Sequence, residues 1–238
     1  MRIVVMNCNT SAAMTEAIGA QARAAARPET QISALQPLWG PESAEGYYDS
    51  FVTAAAVLDR LHTVGFPFDA LVMAGFGEHG REGARELLEV PVVDITEAAA
   101  QVAMLLGRSY GVVTTLARAV GQIEDSLRVA GLLDRCAGIV AADLGVLELE
   151  GGAAVDAVLA AAVRVLERGA EVLVLGCAGM AALAEAVAER VDVPVVDGVA
   201  AAVKLAESLV DLGLATSKRG SYAPPREKRR PGWPISGA

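Results

Sequence analysis

The tetrapeptide PVVD occurs twice, at 91–94 and 194–197, 103 positions apart. Each copy is followed by an alanine-rich stretch, TEAAAQVAMLLG or VAAAVKLAESLVDLG. Each is preceded by a short helical stretch, and before that by an apolar run ending in a small-residue turn, AGFG (74–77) or GCAG (176–179). Further upstream, IVVMNCNTS has a counterpart in GVVTTLARA. A repeat of this kind constrains the chain to two similar lobes of roughly a hundred residues each.

Between and around the repeats, apolar runs alternate with Ala/Leu/Glu-rich stretches. Strands are expected at 2–7, 31–35, 70–74, 91–95, 110–115, 137–143, 171–177 and 194–198. Helices are expected at 11–26, 47–64, 81–88, 96–106, 117–130, 152–168, 180–189 and 198–212. The runs are continuous rather than alternating in polarity, which suits parallel strands covered on both faces. The order therefore reads as βαβ units in an α/β fold with parallel sheets. Hydrophobic residues make up 53% of the chain but aromatics only 4%, so Ala, Val and Leu must fill the core.

The net charge of −9 argues against nucleic-acid or anionic-membrane partners. Six of the 20 basic residues lie between Lys218 and Arg230, beside Glu227 alone among acids. This basic tail could pack on its own acidic body or on a neighbouring subunit, or it could be a solvated end, given its prolines and the final GWPISGA. The three cysteines have no framework spacing, which fits a reducing compartment. The chain opens MRIVVMN, already strand-like, and no apolar stretch is long enough to span a membrane. A cytoplasmic homo-oligomer acting on a small molecule is the expectation.

Gly75, Gly77 and Gly80 in LVMAGFGEHG fit the G-x-G-x-x-G dinucleotide fingerprint, with Asp94 at the separation of its acid. The repeat weakens this reading, because Asp94 belongs to a duplicated PVVD that needs no ribose. The helix expected after the loop is also only about two turns long.

Ligands of open parallel sheets bind at the carboxyl ends of strands. Those ends carry Asn7, Cys8, Asn9, Thr10 and Ser11; Gly75, Phe76 and Gly77; Thr114 and Thr115; and Cys177, Ala178 and Gly179. Two lobes facing each other would enclose them in one cleft. Backbone N–H groups at the helix starts after Thr10 and Cys177 could hold an oxyanion or carboxylate. Cys177 is the sharpest candidate: it lies at a strand-to-helix turn, where a helix N-terminus lowers a thiol pKa. Against this stands the ordinary fate of a small buried thiol. Cys136, entering an apolar strand, reads as core, and Cys8 is ambiguous. His62 reads as surface, and His79, beside Glu78, is a minor candidate for proton transfer. Neither histidine has ligand spacing, and no metal or cofactor site is expected.

The segments NCNTSAAMT (7–15), GPESAEGYYD (40–49), AGFGEHGREGARELLEVPVV (74–93), VVTTLARAV (112–120), LGCAGM (175–180) and LGLATSKRGSYAPP (212–225) resemble the aspartate/glutamate/hydantoin racemase superfamily, and within it the hydantoin and allantoin racemases. The resemblance implies two pseudo-symmetric Rossmann-like lobes around a cleft, with the C-terminal segment returning to the first lobe. Lobe one would be 1–96 plus 198–238, and lobe two 97–197. It also implies cofactor-independent proton transfer next to a carbonyl by two cysteines on opposite faces of the substrate.

The second-lobe cysteine of that pattern is present as Cys177. The first falls at Gly75, which has no acid or base to offer, and the usual proline between the two asparagines is Cys8. Three readings follow. Cys8 replaces the missing thiol, since strands ending at 7 and 74 would lie about 4.8 Å apart. Or a single thiol works one-sidedly, as in the arylmalonate decarboxylases that this glycine resembles. Or the chain is a non-catalytic relative that binds a small molecule. A racemase-family isomerase, with Cys8 and Cys177 as its catalytic thiols, is the expectation carried forward.

Overall fold

The computed structural model describes residues 1–149 and 151–229. Glu150 and 230–238, including GWPISGA and the last arginine of the basic tail, lie outside the described residues.

The elements run β1 (Arg2–Asn7), α1 (Ala12–Ala25), β2 (Gln31–Leu35), α2 (Tyr47–His62), β3 (Ala70–Ala74), α3 (Arg81–Leu87), β4 (Val92–Asp94), α4 (Ile95–Leu106), β5 (Tyr110–Thr114), α5 (Val120–Val129), β6 (Cys136–Ala141), α6 (Gly151–Leu166), β7 (Val172–Leu175), α7 (Ala184–Ala188), β8 (Val195–Asp197) and α8 (Gly198–Asp211). Every expected strand and helix is present. The stretch expected as a helix over 180–189 is a 3-10 helix, Ala178–Leu183, that passes into the short α7. The tighter winding starts at the Cys177 turn, where Met180 N–H donates to the Cys177 carbonyl at 3.0 Å.

Two four-stranded parallel sheets form, ordered β2-β1-β3-β4 and β6-β5-β7-β8. Their identical order is the sequence repeat in space: each element of the first half has its counterpart in the second. Successive strand residues point to opposite faces, which explains why both faces needed apolar residues. Ile3, Val5 and Val72 of the first sheet, and Val112 and Val174 of the second, share one core with Ile18 of α1, Ile123 of α5 and the alanines of α4 and α8. The opposite face of the first sheet, including Met6 and Leu71, packs with Val57 and Leu61 of α2 and Ala84 of α3. The outer face of the second sheet, including Val113 and Leu173, packs with Val158 of α6 and Val187 of α7. The middle helix layer thus serves both sheets.

Helix α8 follows the second sheet yet packs on α1, α4, β3 and β4. Small residues permit this: a Cβ at Gly198 would lie 2.9 Å from the Ile95 carbonyl oxygen. Further on, Thr216 N–H donates to Glu89 O at 2.8 Å, and the Tyr222 hydroxyl donates to Glu82 Oε2 at 2.6 Å. Lys218 Nζ donates to the Arg85 and Glu86 carbonyls at 2.6 and 3.0 Å. The first residues of the basic segment therefore pack on the chain's own α3.

The repeated aspartate is a helix cap. Asp94 accepts from Thr96 N and Glu97 N at the start of α4, and Asp197 from Val199 N and Ala200 N at the start of α8. This accounts for the acid that resembled a ribose ligand. The start of α3 is likewise occupied, since Glu78 Oε1 accepts from Gly80 N at 2.6 Å and Arg81 N at 2.9 Å. A pyrophosphate would have to displace that carboxylate.

Asp94 carries a second duty. Arg81 is 1% exposed and lies among Asp94, Glu78, Glu82 and Glu97, at 3.5, 3.2, 2.8 and 3.4 Å. Removing one carboxylate beside a buried guanidinium costs more than removing a cap. Asp94→Ala is expected to lower stability by about 3 kcal/mol and Asp197→Ala by about 1 kcal/mol, read by urea unfolding. Equal losses would contradict the double role.

Candidate active site

Adjacent strands place the first candidate residues side by side. Asn7 of β1 is in register with Ala74 of β3, so Cys8 and Gly75 follow one another's strand ends as neighbours. The turn after β1 is built by its asparagines. Asn7 Nδ2 donates to Asn9 Oδ1 at 3.0 Å and to Thr15 Oγ1 at 2.9 Å, and Asn9 Oδ1 also accepts from Ser11 N at 3.0 Å. These bonds tie the turn to α1 and fix Cys8 between the two asparagines.

A single cavity joins both sheets' carboxyl ends. Asn7, Cys8, Asn9, Gly75, Phe76, Thr114, Thr115, Cys177 and Ala178 line it. Four other expected residues do not. Thr10 bonds the Pro41 carbonyl through its hydroxyl at 3.2 Å, and the Ser11 hydroxyl caps α1 by accepting from Met14 N at 3.3 Å. Gly77 N–H donates to Thr96 Oγ1 at 2.7 Å, underneath the Gln122 amide. Gly179 faces Leu149, 3.0 Å from where its Cβ would be.

Sequence reasoning did not single out Glu45, Ser50, Gln122 and Val146, which also line the cavity. Glu45 and Gly46 sit in the GPESAEGYYD segment, but no periodicity marks them. Gln122 reaches the cavity from α5 and donates to the Glu78 carbonyl at 3.1 Å. Glu45 Oε1 accepts from Val146 N at 3.3 Å, joining two lining residues from different lobes of the chain. About 40 Å³ is free inside, room for a water or two.

The position that lacks a side chain is not empty. A Cβ at Gly75 would lie 2.7 Å from Cys8 Cβ, 2.9 Å from Cys8 Sγ and 2.5 Å from His79 Cδ2. Gly75 does not have a positive φ, so crowding rather than backbone strain requires glycine here.

Neither thiol is acidic in this cavity. Burial pushes Cys8 up to about 12, and the neighbouring Cys177 adds to the rise. Burial also raises Cys177 to about 11, against the pull of the Gly179 and Met180 N–H groups. The sequence expectation was a thiol pKa lowered by the following helix. The two N–H donors do act in that direction, but desolvation outweighs a short 3-10 turn.

Cys136 lies elsewhere, half-buried at the start of β6, with Sγ donating to Gly138 O at 3.4 Å. His79 is 5% exposed and lines the cavity; burial lowers its pKa to about 4, so it is neutral near pH 7. Its Nε2 is 3.3 Å from the Phe76 carbonyl, which can only accept, so Nε2 carries the hydrogen. His62 is exposed at the end of α2. Among the described residues no group of three or more His, Cys, Asp or Glu is placed to hold a metal ion, and no helix is long and apolar enough to cross a membrane.

The sequence model of the Asp/Glu/Hydantoin racemase family matches residues 3–206. A hydantoin racemase of Pseudomonas sp. (strain NS671) is 39% identical, the alignment covering 96% of this chain and 93% of that protein. The crystal structure of an allantoin racemase from Pseudomonas fluorescens is 56% identical, with a TM-score of 0.94 over 98% of this chain and 100% of that one. Arylmalonate decarboxylase shares the fold, at 19% identity and a TM-score of 0.57 over 92% of this chain and 96% of that one. With a family match across most of its length and such identity over nearly all of it, the chain belongs to the Asp/Glu/hydantoin racemase family.

Proposed function

We propose that this chain is a cofactor-independent isomerase that inverts the carbon next to a carbonyl in a hydantoin-like ring, with Cys8 and Cys177 as its two acid/base groups. One observation carries the reading: the Cys8 side chain fills the space that a side chain at position 75 would take. The missing first-lobe thiol is thus supplied from the neighbouring strand end. Relatives named hydantoin racemase and allantoin racemase support the substrate class.

In one direction the Cys177 thiolate takes the proton from the ring carbon, and the electron pair moves into the adjacent carbonyl to give an enolate. The Cys8 S–H then delivers its proton to the opposite face, leaving Cys8 as thiolate and Cys177 as thiol. The mirror-image substrate runs the same steps in reverse. The division of the chain that goes with this reading is 1–96 with 198–238 as one lobe and 97–197 as the other, supported by the packing of α8 on β3 and β4.

The test is circular dichroism or chiral chromatography of L-5-methylhydantoin and of allantoin enantiomers, with NMR of proton exchange in D₂O. Loss of optical activity with exchange is expected. Exchange without racemisation would favour one-sided chemistry, the reading to which Gly75 points. Release of CO₂ from a phenylmalonate would then make it a decarboxylase.

The thiol environments set the pH dependence. Because burial raises the Cys177 pKa to about 11, its thiolate is the minor form below that pH and grows with each unit. The value of kcat/KM is expected to rise about tenfold per pH unit between about pH 7 and 9. A flat profile over that interval would mean that the resting thiol is already ionised.

A further inference from the structure

We infer that Glu45 is a specificity-determining residue of this site: its carboxylate, in a cavity lined by no cation, restricts the site to uncharged carbon acids and turns away those that carry a carboxylate of their own. The inference rests on the hydantoin-like reading above and deepens it, from the kind of ring to the charge it bears.

The lining decides the sign of the field. Among the described residues that line the cavity, Glu45 alone belongs to a charged type, and no lysine or arginine is present. His79, the other titratable nitrogen there, is neutral near pH 7. Arg118 lies against Gly46, its Nε 3.1 Å from where a Cβ at that glycine would be, but the residue is exposed and water screens its charge.

Glu45 is held in place by uncharged partners. Its Oε1 accepts from Val146 N and from the Ser43 hydroxyl, each at 3.3 Å. The first bond ties the carboxylate to a lining residue from the other half of the chain, and neither bond cancels its charge. The thiols register the same sign. Glu45 adds to the rise of Cys177 and Asp94 to that of Cys8, and no basic side chain acts against them on either thiol. A carboxylate brought into such a place loses its hydration and meets like charge without a partner. A hydantoin ring brings no charge. A malonate, or the N-carbamoyl acid left when a hydantoin ring opens, does.

The experiment compares pairs that differ in charge and little in shape: iodoacetamide with iodoacetate, and hydantoin-5-acetamide with hydantoin-5-acetate. Peptide mass spectrometry reads alkylation cysteine by cysteine, so Cys136, which does not line the cavity, is a control within the same molecule. In the wild type the iodoacetamide-to-iodoacetate rate ratio at Cys177 is expected to exceed that of N-acetylcysteinamide in solution about tenfold. Hydantoin-5-acetamide is expected to bind about tenfold or more tightly than hydantoin-5-acetate. Glu45→Gln keeps an oxygen for Val146 N and should bring both ratios to within about threefold of parity, leaving the Cys136 ratio unchanged. A merely structural loss would slow both members of a pair alike and leave the ratios where they were. Should neither reagent reach Cys177, the ring pair decides. Equal binding of the two ring compounds by the wild type, or a preference that Glu45→Gln leaves intact, overturns the role of Glu45, and racemisation of 5-methylhydantoin then still supports the hydantoin reading. If no hydantoin binds or exchanges its C5 proton, that reading falls, and a Cys177 ratio that Glu45→Gln collapses keeps the charge filter for another uncharged substrate. If Cys177 also resists both reagents, the two fall together.

Discussion

Cys177→Ser is expected to lower turnover by about a thousandfold or more while leaving the fold intact. A serine hydroxyl fits the same turn and can accept the Gly179 and Met180 N–H groups that now face the sulfur. It cannot ionise at any usable pH, so the carbon proton has no base to receive it. Cys136→Ser provides the contrast. That side chain sits at the far end of β6, bonded to the Gly138 carbonyl, and does not line the cavity. Its replacement should leave turnover within about twofold and change stability by less than ~1 kcal/mol. Initial rates and urea unfolding of both variants measure these quantities. Wild-type activity in Cys177→Ser would remove this thiol from the chemistry.

The second large effect concerns the pair at 8 and 75. Cys8→Ala should abolish racemisation while sparing exchange on the face that Cys177 serves. Gly75→Cys alone should damage the protein: its Cβ would meet Cys8 Cβ at 2.7 Å and His79 Cδ2 at 2.5 Å, distances that force neighbours to move. The same change combined with Cys8→Gly removes both crowding atoms of residue 8, leaves the His79 ring as the one side chain that must shift, and places a thiol on the adjacent strand end. The double variant should regain racemisation that Cys8→Ala lacks, a reversal of sign that independent sites do not produce. The readout is loss of optical activity of L-5-methylhydantoin, with thermal melting of each variant. Racemisation that survives Cys8→Ala would defeat the two-thiol scheme and turn attention to Glu78 and His79.

The strands were legible in the sequence because a parallel strand covered on both faces must be apolar at successive positions, as in IVVM or VLVL. The doubled order of the sheets was legible in the two PVVD motifs. The reason for their aspartates was not, since a cap bond at the start of α4 and a ribose ligand ask for the same residue at the same place. Within the cavity, Asn7, Cys8 and Cys177 could be named because strand ends announce themselves. Glu45, Gln122 and Val146 come from loops and from the flank of α5, where no period or turn signal separates a cavity wall from a surface. The direction of the Cys177 pKa was misjudged for a related reason. The N–H donors are local and visible in GCAGM, whereas the desolvation that overrides them is contributed by the whole enclosure.

The enclosure bounded by Glu45 and Val146 can give the site a memory. A ring bound there would stand between the thiols and the solvent for as long as it stays. During that time the hydrogens on the thiols are shielded, that of buried Cys8 more than that of half-buried Cys177. If one molecule replaces another faster than the sulfur trades its hydrogen with water, a deuteron taken from one substrate molecule stays on its sulfur and is handed to another. Label would then pass between successive molecules in ordinary water, and added viscogen would slow turnover and washout by the same factor.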